Sequence, residues 1–96
     1  MTYRLSTAAE NDLVGIFLYG IETFGLEVAQ CYRDQLAHAF DIIGDNPHIA
    51  RERTEIRPPV RVYPCGSHMI VYVTDGAGSL ILRIRHQKED WERNPL

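Results

Sequence analysis

Glu55, Arg61, Arg83 and His86 are the residues of this 96-residue chain whose types could act together as a reaction centre. A carboxylate or an imidazole can take the proton of a ribose 2′-hydroxyl while guanidinium groups stabilise the charge developing on the phosphate. That is the chemistry of an endoribonuclease that needs no metal. The plainer explanation is that Glu55 pairs with nearby arginines and His86 caps a strand end, because ion-pair networks also bring charges together. Other chemistry finds less support. Cys65 and His68 offer a two-ligand spacing with no second pair to close a metal site. No nucleophile elbow, P-loop or dinucleotide fingerprint occurs, and no cofactor is expected. Cys31, beside Tyr32 in a helical pattern, reads as core packing. Tyr63, Tyr72 and Trp91 read as packing or rim aromatics.

The charges are unevenly arranged. Net charge is -3, from 10 basic and 13 acidic residues, and Lys88 is the one lysine. Up to His48, Arg4 and Arg33 face seven acidic residues; from Ile49 to Lys88, seven basic residues face Glu52, Glu55 and Asp75. The split suggests a basic face for an acidic partner or nucleic acid, with a solvated surface of local ion pairs as the competing explanation. The preference for arginine favours recognition, since a guanidinium binds carboxylate or phosphate in a bidentate way. Net acidity argues against direct duplex binding as the main task. No apolar run approaches the roughly 20 residues of a membrane span. Met1 to Leu5 has no apolar core behind its charge, as a secretory signal would. Two cysteines are too few for a disulfide framework. The expectation is a soluble domain in a reducing cytoplasm.

The elements that must position these residues follow from periodicity. Tyr3-Arg4-Leu5 reads as a short strand. Thr7-Ala8-Ala9-Glu10 fits a capping box, with Ser6 as a competing cap, and Glu10 and Asp12 suit the first turn of a helix. Leu13, Ile16, Phe17 and Gly20 form one helical stripe, interrupted at Phe24-Gly25. Val28, Ala29, Tyr32, Leu36, Ala39, Phe40 and Ile43 form a second, stopped by Gly44-Asp45-Asn46-Pro47. So short a connection makes an antiparallel helical hairpin. Val60 to Tyr63, His68 to Thr74 and Ser79 to His86 then read as strands, joined by turns at Pro64–Ser67 and Asp75–Gly78. Strict alternation puts Leu80, Leu82 and Ile84 on one face of the last strand, and Ile81, Arg83 and Arg85 on the other. With the first face on the helices, Arg83 and Arg85 would lie on an open face, joined by Arg61 if register allows. The order is β-αα-βββ, an α+β fold with a helical hairpin packed on a small antiparallel sheet.

The residues in series resemble the ParE family of toxins. The opening, Tyr3-x-Leu-Ser followed by Ala9-x-x-Asp12-Leu13-x-x-Ile16-x-x-Tyr19, is similar to the family's start. The likeness continues through Phe24-Gly25, Ala29-x-x-Tyr32-x-x-x-Leu36, and Pro47 before Arg51-x-Arg53-x-Glu55-Ile56-Arg57. It closes with Arg61, His68-x-Ile70-x-Tyr72 and Ile84-Arg85-His86-Gln87-x-x-Asp90. It implies one domain of the RelE/ParE superfamily over residues 1–96. It also implies the toxin of a type II toxin–antitoxin pair that traps DNA gyrase on cleaved DNA and halts replication without being an enzyme. The implied partner is a ParD-like antitoxin, which alone would contact operator DNA. The RelE branch instead cuts messenger RNA on the ribosome, and fold does not decide between them. The opening helical motif, the long hairpin and the lack of a terminal tyrosine favour the ParE branch. An inactive interaction subunit is the third class. The family's Arg-Ile-Leu-His ending stands here as Arg83-Ile84-Arg85-His86, a charge in place of an apolar residue. Arg61, Arg83, Arg85 and Trp91 are the expected contacts to target or antitoxin.

Overall fold

In the computed structural model, which describes residues 2–96, the chain runs β1 (Tyr3–Leu5), α1 (Thr7–Phe24), α2 (Leu26–Asp45), β2 (Glu52–Arg53), β3 (Val60–Cys65), β4 (His68–Asp75) and β5 (Gly78–His86). Met1, the first residue of the N-terminal segment, lies outside the described residues. Ser6 begins α1, in preference to Thr7: its hydroxyl accepts from the Ala9 amide at 3.0 Å. The α+β architecture is the one expected, two helices on one face of a sheet. The sheet is mixed, in the order β1-β5-β4-β3-β2. The three C-terminal strands pair antiparallel, and the two-residue β2 extends them. β1 lies parallel to β5, with Tyr3 opposite Ser79 and Leu5 opposite Ile81. A long connection permits parallel pairing, and here everything between β1 and the end of β4 serves as the connection.

The core divides between the two faces of the sheet. Leu36, Ala39, Phe40 and Ile43 of α2 pack with Ile70, Tyr72, Ile81 and Ile84. Behind the sheet, Val60, Val62 and Val71 are covered by Ile56 and Trp91. The helices share this burial unequally: α2 buries residues along its whole length, whereas α1 buries only Ala9. Leu13, Ile16 and Phe17 are half-buried. Val28, expected in the inner stripe, is exposed, and so is Cys31, expected in the core.

A bulge changes which β5 residues face the helices. Tyr72 pairs with Ile81 but Val71 pairs with Arg83, so Leu82 is the extra residue. Ile81 and Ile84 therefore both enter the helix-side core, while Leu82 joins the back cluster. Strict alternation had assigned Ile81 and Ile84 to opposite faces.

Beyond β1, the outer edge of β5 is closed by side chains, which protects an otherwise open edge. The Ser6 amide donates to the Ile81 carbonyl at 2.9 Å, and the Ser6 hydroxyl donates to that of Leu82 at 2.8 Å. Asp12 does more. Its Oδ2 accepts from the Ile84 amide at 2.9 Å, and its two oxygens accept from Arg83 Nε and Nη2 at 2.6 and 2.9 Å. Asp12 thus clasps α1 to the sheet instead of serving the helix dipole.

Because this pair is largely shielded from solvent, Asp12→Ala should lower stability by about 2 kcal/mol, in the range for charge-assisted hydrogen bonds. Urea unfolding should show strong coupling between Asp12→Ala and Arg83→Ala, whereas breaking the exposed Arg4–Asp75 pair should change little. Additive effects of the Asp12 and Arg83 changes would show that the two side chains do not act as a clasp.

Candidate functional site

Since α1 is fastened near its start, its later turns stand clear of the sheet and leave a groove of about 680 Å³. Ile16, Tyr19 and Phe24 of α1 and Val28 and Ala29 of α2 supply apolar walls. Tyr19, Phe24 and Val28 are more than half exposed there. The helices come close at Gly20, where a Cβ would stand 3.2 Å from the Ala29 Cβ. A contiguous exposed apolar surface of this kind is the mark of a docking site.

One end of the groove is polar. The Tyr32 hydroxyl lies 2.6 Å from His68 Nδ1, accepts from the Ser67 amide at 3.1 Å and stands 3.2 Å from the Cys65 carbonyl. Gly66 makes this possible: at φ 58°, with any Cβ only 2.6 Å from the Tyr32 ring, glycine is the residue that fits. His68 pairs across the strands with His86, ring centroids 5.3 Å apart at 80°. His86 Nδ1 accepts from the Lys88 amide at 3.1 Å. Burial, and then the neighbouring His86, holds the His68 pKa below the ordinary imidazole value. Burial pushes the Tyr32 phenol up. Asp12 and Glu89 border the same end. Among the described residues no three His, Cys, Asp or Glu side chains gather as a metal site.

The residues singled out in the sequence are dispersed. Glu55 is exposed and accepts from Arg51 at 3.2 and 2.8 Å, which holds its carboxyl down at about 2, too low for an effective base near neutrality. It follows β2, while His86 belongs to β5, three strand spacings away, roughly 14 Å. Glu55, Arg61, Arg83 and His86 therefore do not converge. Arg61 sits opposite Tyr72 on the helix side of the sheet, where Nη1 donates to the Ala50 carbonyl at 2.6 Å and the buried Nε has no partner among the described residues. Arg83 reaches over the β5 edge into the Asp12 clasp. Arg85 donates to Glu89 at 3.1 and 2.9 Å and to the Asn94 carbonyl at 2.8 Å, tying down the C-terminal segment. Trp91 is buried in the back cluster, with the Arg53 guanidinium 5.3 Å from its ring centre. The expected open face shared by Arg61, Arg83 and Arg85 is thus absent: Arg61 points to the other side, and the remaining arginines hold neighbouring segments.

Sequence reasoning missed the His68–His86 pair. Counting back from the Asp75–Gly78 turn sets His68 opposite Arg85, and only the extra residue at Leu82 moves it to His86. The turn was the usable signal; the bulge left none.

A helical hairpin on a mixed five-stranded sheet, with an apolar groove between the helices and one sheet end, defines the class. Residues 3–91 match the family described as "ParE toxin of type II toxin-antitoxin system, parDE". The chain is 38% identical over 93 residues to Toxin ParE1 of Mycobacterium tuberculosis (strain CDC 1551 / Oshkosh), covering 96% of this chain and 95% of that one. It is 32% identical over 85 residues to Toxin ParE1 of Caulobacter vibrioides, covering 88% of each. A solved structure described as "Chromosomal ParDE TA system from P. aeruginosa" shares the fold at a TM-score of 0.78 and 19% identity, covering 90% of this chain and 95% of its own. The chain belongs to the ParE toxin family of type II toxin–antitoxin systems. No helix among the described residues is long and apolar enough to cross a membrane.

The tail gives two predictions. Trp91→Ala should cost about 3 kcal/mol in urea unfolding, as large-to-small core changes do; an unchanged midpoint would return Trp91 to the surface. Glu89 has a lowered carboxyl pKa, caused first by its bond from the His86 amide and then by Arg85. A depressed folded value means that its contribution is present above the ordinary carboxylate pKa and is lost as pH falls through the folded one. The fluorescence of Trp91, the single tryptophan, should therefore report loosening of the tail as pH falls below the ordinary carboxylate range. Glu89→Gln should remove that acid transition.

Proposed function

We propose that this toxin acts on DNA gyrase, trapping its cleaved-DNA complex, and that a ParD-like antitoxin neutralises it by laying an amphipathic helical segment into the α1–α2 groove. The observation that carries the antitoxin half is the exposed apolar wall of Tyr19, Phe24 and Val28, which suits helix-in-groove recognition. Likeness in fold to the P. aeruginosa protein, a ParDE system by name, supports a partner of that kind. The gyrase half rests on family membership and on the dispersal of the four residues that an RNA-cleaving centre would have needed. Operator DNA is reached only through the antitoxin. Arg61, with no carboxylate partner among the described residues, is the proposed direct cationic contact. Arg83, Arg85 and Trp91 contribute by holding α1 and the tail in place.

A supercoiling reaction with purified protein, quenched in detergent, tests the target. Linear, protein-linked DNA should appear, require gyrase and vanish when antitoxin is added. Intact gyrase activity alongside messenger RNA cleavage would instead establish the RelE-type reading. For the groove, Tyr19→Asp with Phe24→Asp should weaken antitoxin binding by at least tenfold while leaving the unfolding midpoint nearly unchanged, because both side chains are solvent-exposed. Undiminished affinity would move the antitoxin to another surface.

A further inference from the structure

At the polar end of the groove, almost every group is already committed. Asp12 is taken by Arg83 and the Ile84 amide, and Glu89 by Arg85 and the His86 amide. Arg33 borders the groove, its guanidinium 5.0 Å from the Phe17 ring centre and Nε 3.8 Å from Asp34. The two imidazoles are bound inside the chain through Nδ1 only. The Lys88 amide can only donate, so His86 Nδ1 is an acceptor and the ring carries its proton on Nε2. The Tyr32 hydroxyl accepts from Ser67, and its own hydrogen points to the nearer acceptor, His68 Nδ1 at 2.6 Å, in preference to the Cys65 carbonyl at 3.2 Å. His68 therefore also carries its proton on Nε2. Among the described residues no hydrogen bond reaches either Nε2, and both half-buried rings line the groove.

We infer that His68 and His86 form a two-donor subsite for a carboxylate side chain of the segment that occupies the groove, and that His68 makes this contact pH-sensitive. The inference rests on the docking reading above and adds the chemistry of the occupant: an apolar segment carrying Asp or Glu at the position that meets the β4–β5 end. Protonating His68 needs only that Tyr32 reverse its hydrogen, accepting from Nδ1 and donating to the Cys65 carbonyl, which is already in place. His68, whose partner can reverse in this way, is the titrating donor of the pair.

The groups facing His68 are Tyr32 and Arg33 from α2, Cys65 from β3, His86 and Glu89 from β5 and its extension, and Asp12 from α1. Both carboxylates among them are held by arginines, so an incoming carboxylate supplies new negative charge. It raises the proton affinity of His68 in the complex. The sign follows: affinity for the partner rises as pH falls through the bound-state pKa and levels off below the free-state value, itself under the ordinary imidazole value of about 6.5.

The test is calorimetric titration of the toxin with a ParD-like antitoxin, between pH 8 and pH 5.5. Wild type should bind several-fold more tightly at the acid end, approaching the tenfold limit that a tenfold gain in proton affinity sets. His68→Gln, which keeps a donor near the Nε2 position but cannot titrate, should bind at every pH with the affinity of wild type at pH 8. His86→Gln should keep the pH slope. In parallel, imidazole NMR of unaltered toxin should show the His68 pKa rising on complex formation. A flat wild-type profile, a slope that survives His68→Gln, or an unmoved His68 pKa would overturn the subsite while leaving groove docking intact. No complex at any pH would overturn the docking reading and the subsite with it.

Discussion

Everything that makes this surface usable depends on where α1 is held, and Asp12 holds it. α1 fully buries only Ala9, and Leu13 and Ile16 are half-buried against the core. The three hydrogen bonds from Arg83 and Ile84 to one carboxylate add a directional anchor. They act at the second turn, so the helix is anchored at its start and free of the sheet further on. Ser6 reinforces the same end by capping α1 and closing the β5 edge with one hydroxyl. The groove is the geometric consequence of a helix pinned at one end, and Tyr19, Phe24 and Val28 remain exposed on its walls.

The uneven distribution of charge along the chain has an intramolecular explanation as well as an outward one. Acidic residues of the first half meet basic residues of the second in the Asp12–Arg83 pair, and Arg4 meets Asp75 in the reverse sense. Arg85 clamps the tail from behind, so Trp91 can seal the back cluster, and Arg53 lies against the same ring. Arg85 thus provides a fastening for the C-terminal segment. Arg61 differs from these, with a backbone carbonyl and, among the described residues, no carboxylate to answer its charge.

Much of the fold could be read directly. The helical periods of Leu13–Gly20 and Ala29–Ile43, the stop after Gly44 and the three C-terminal strands all depend on local apolar patterning, which the sequence displays. What could not be read depended on distant partners. Asp12 suited a first helical turn because its true partner lies 71 residues away. The Leu82 bulge shifted every later residue of β5 by one, placing His86 beside His68 and Ile84 in the core. Trp91 in a polar tail gave no sign that the back of the sheet needed covering. The family itself was legible from the spaced motif, since that series records the same constraints without revealing what each residue touches.

Amide hydrogen exchange on free toxin and on its complex with the cognate antitoxin tests most directly whether the groove is the functional surface. If it is, complex formation should slow exchange in residues 13–33, at the Ser67–His68 turn and around residues 84–89, with the back cluster near Val60–Val62 unaffected. Protection confined to the back of the sheet and the tail, with exchange in α1 and α2 unchanged, would contradict it.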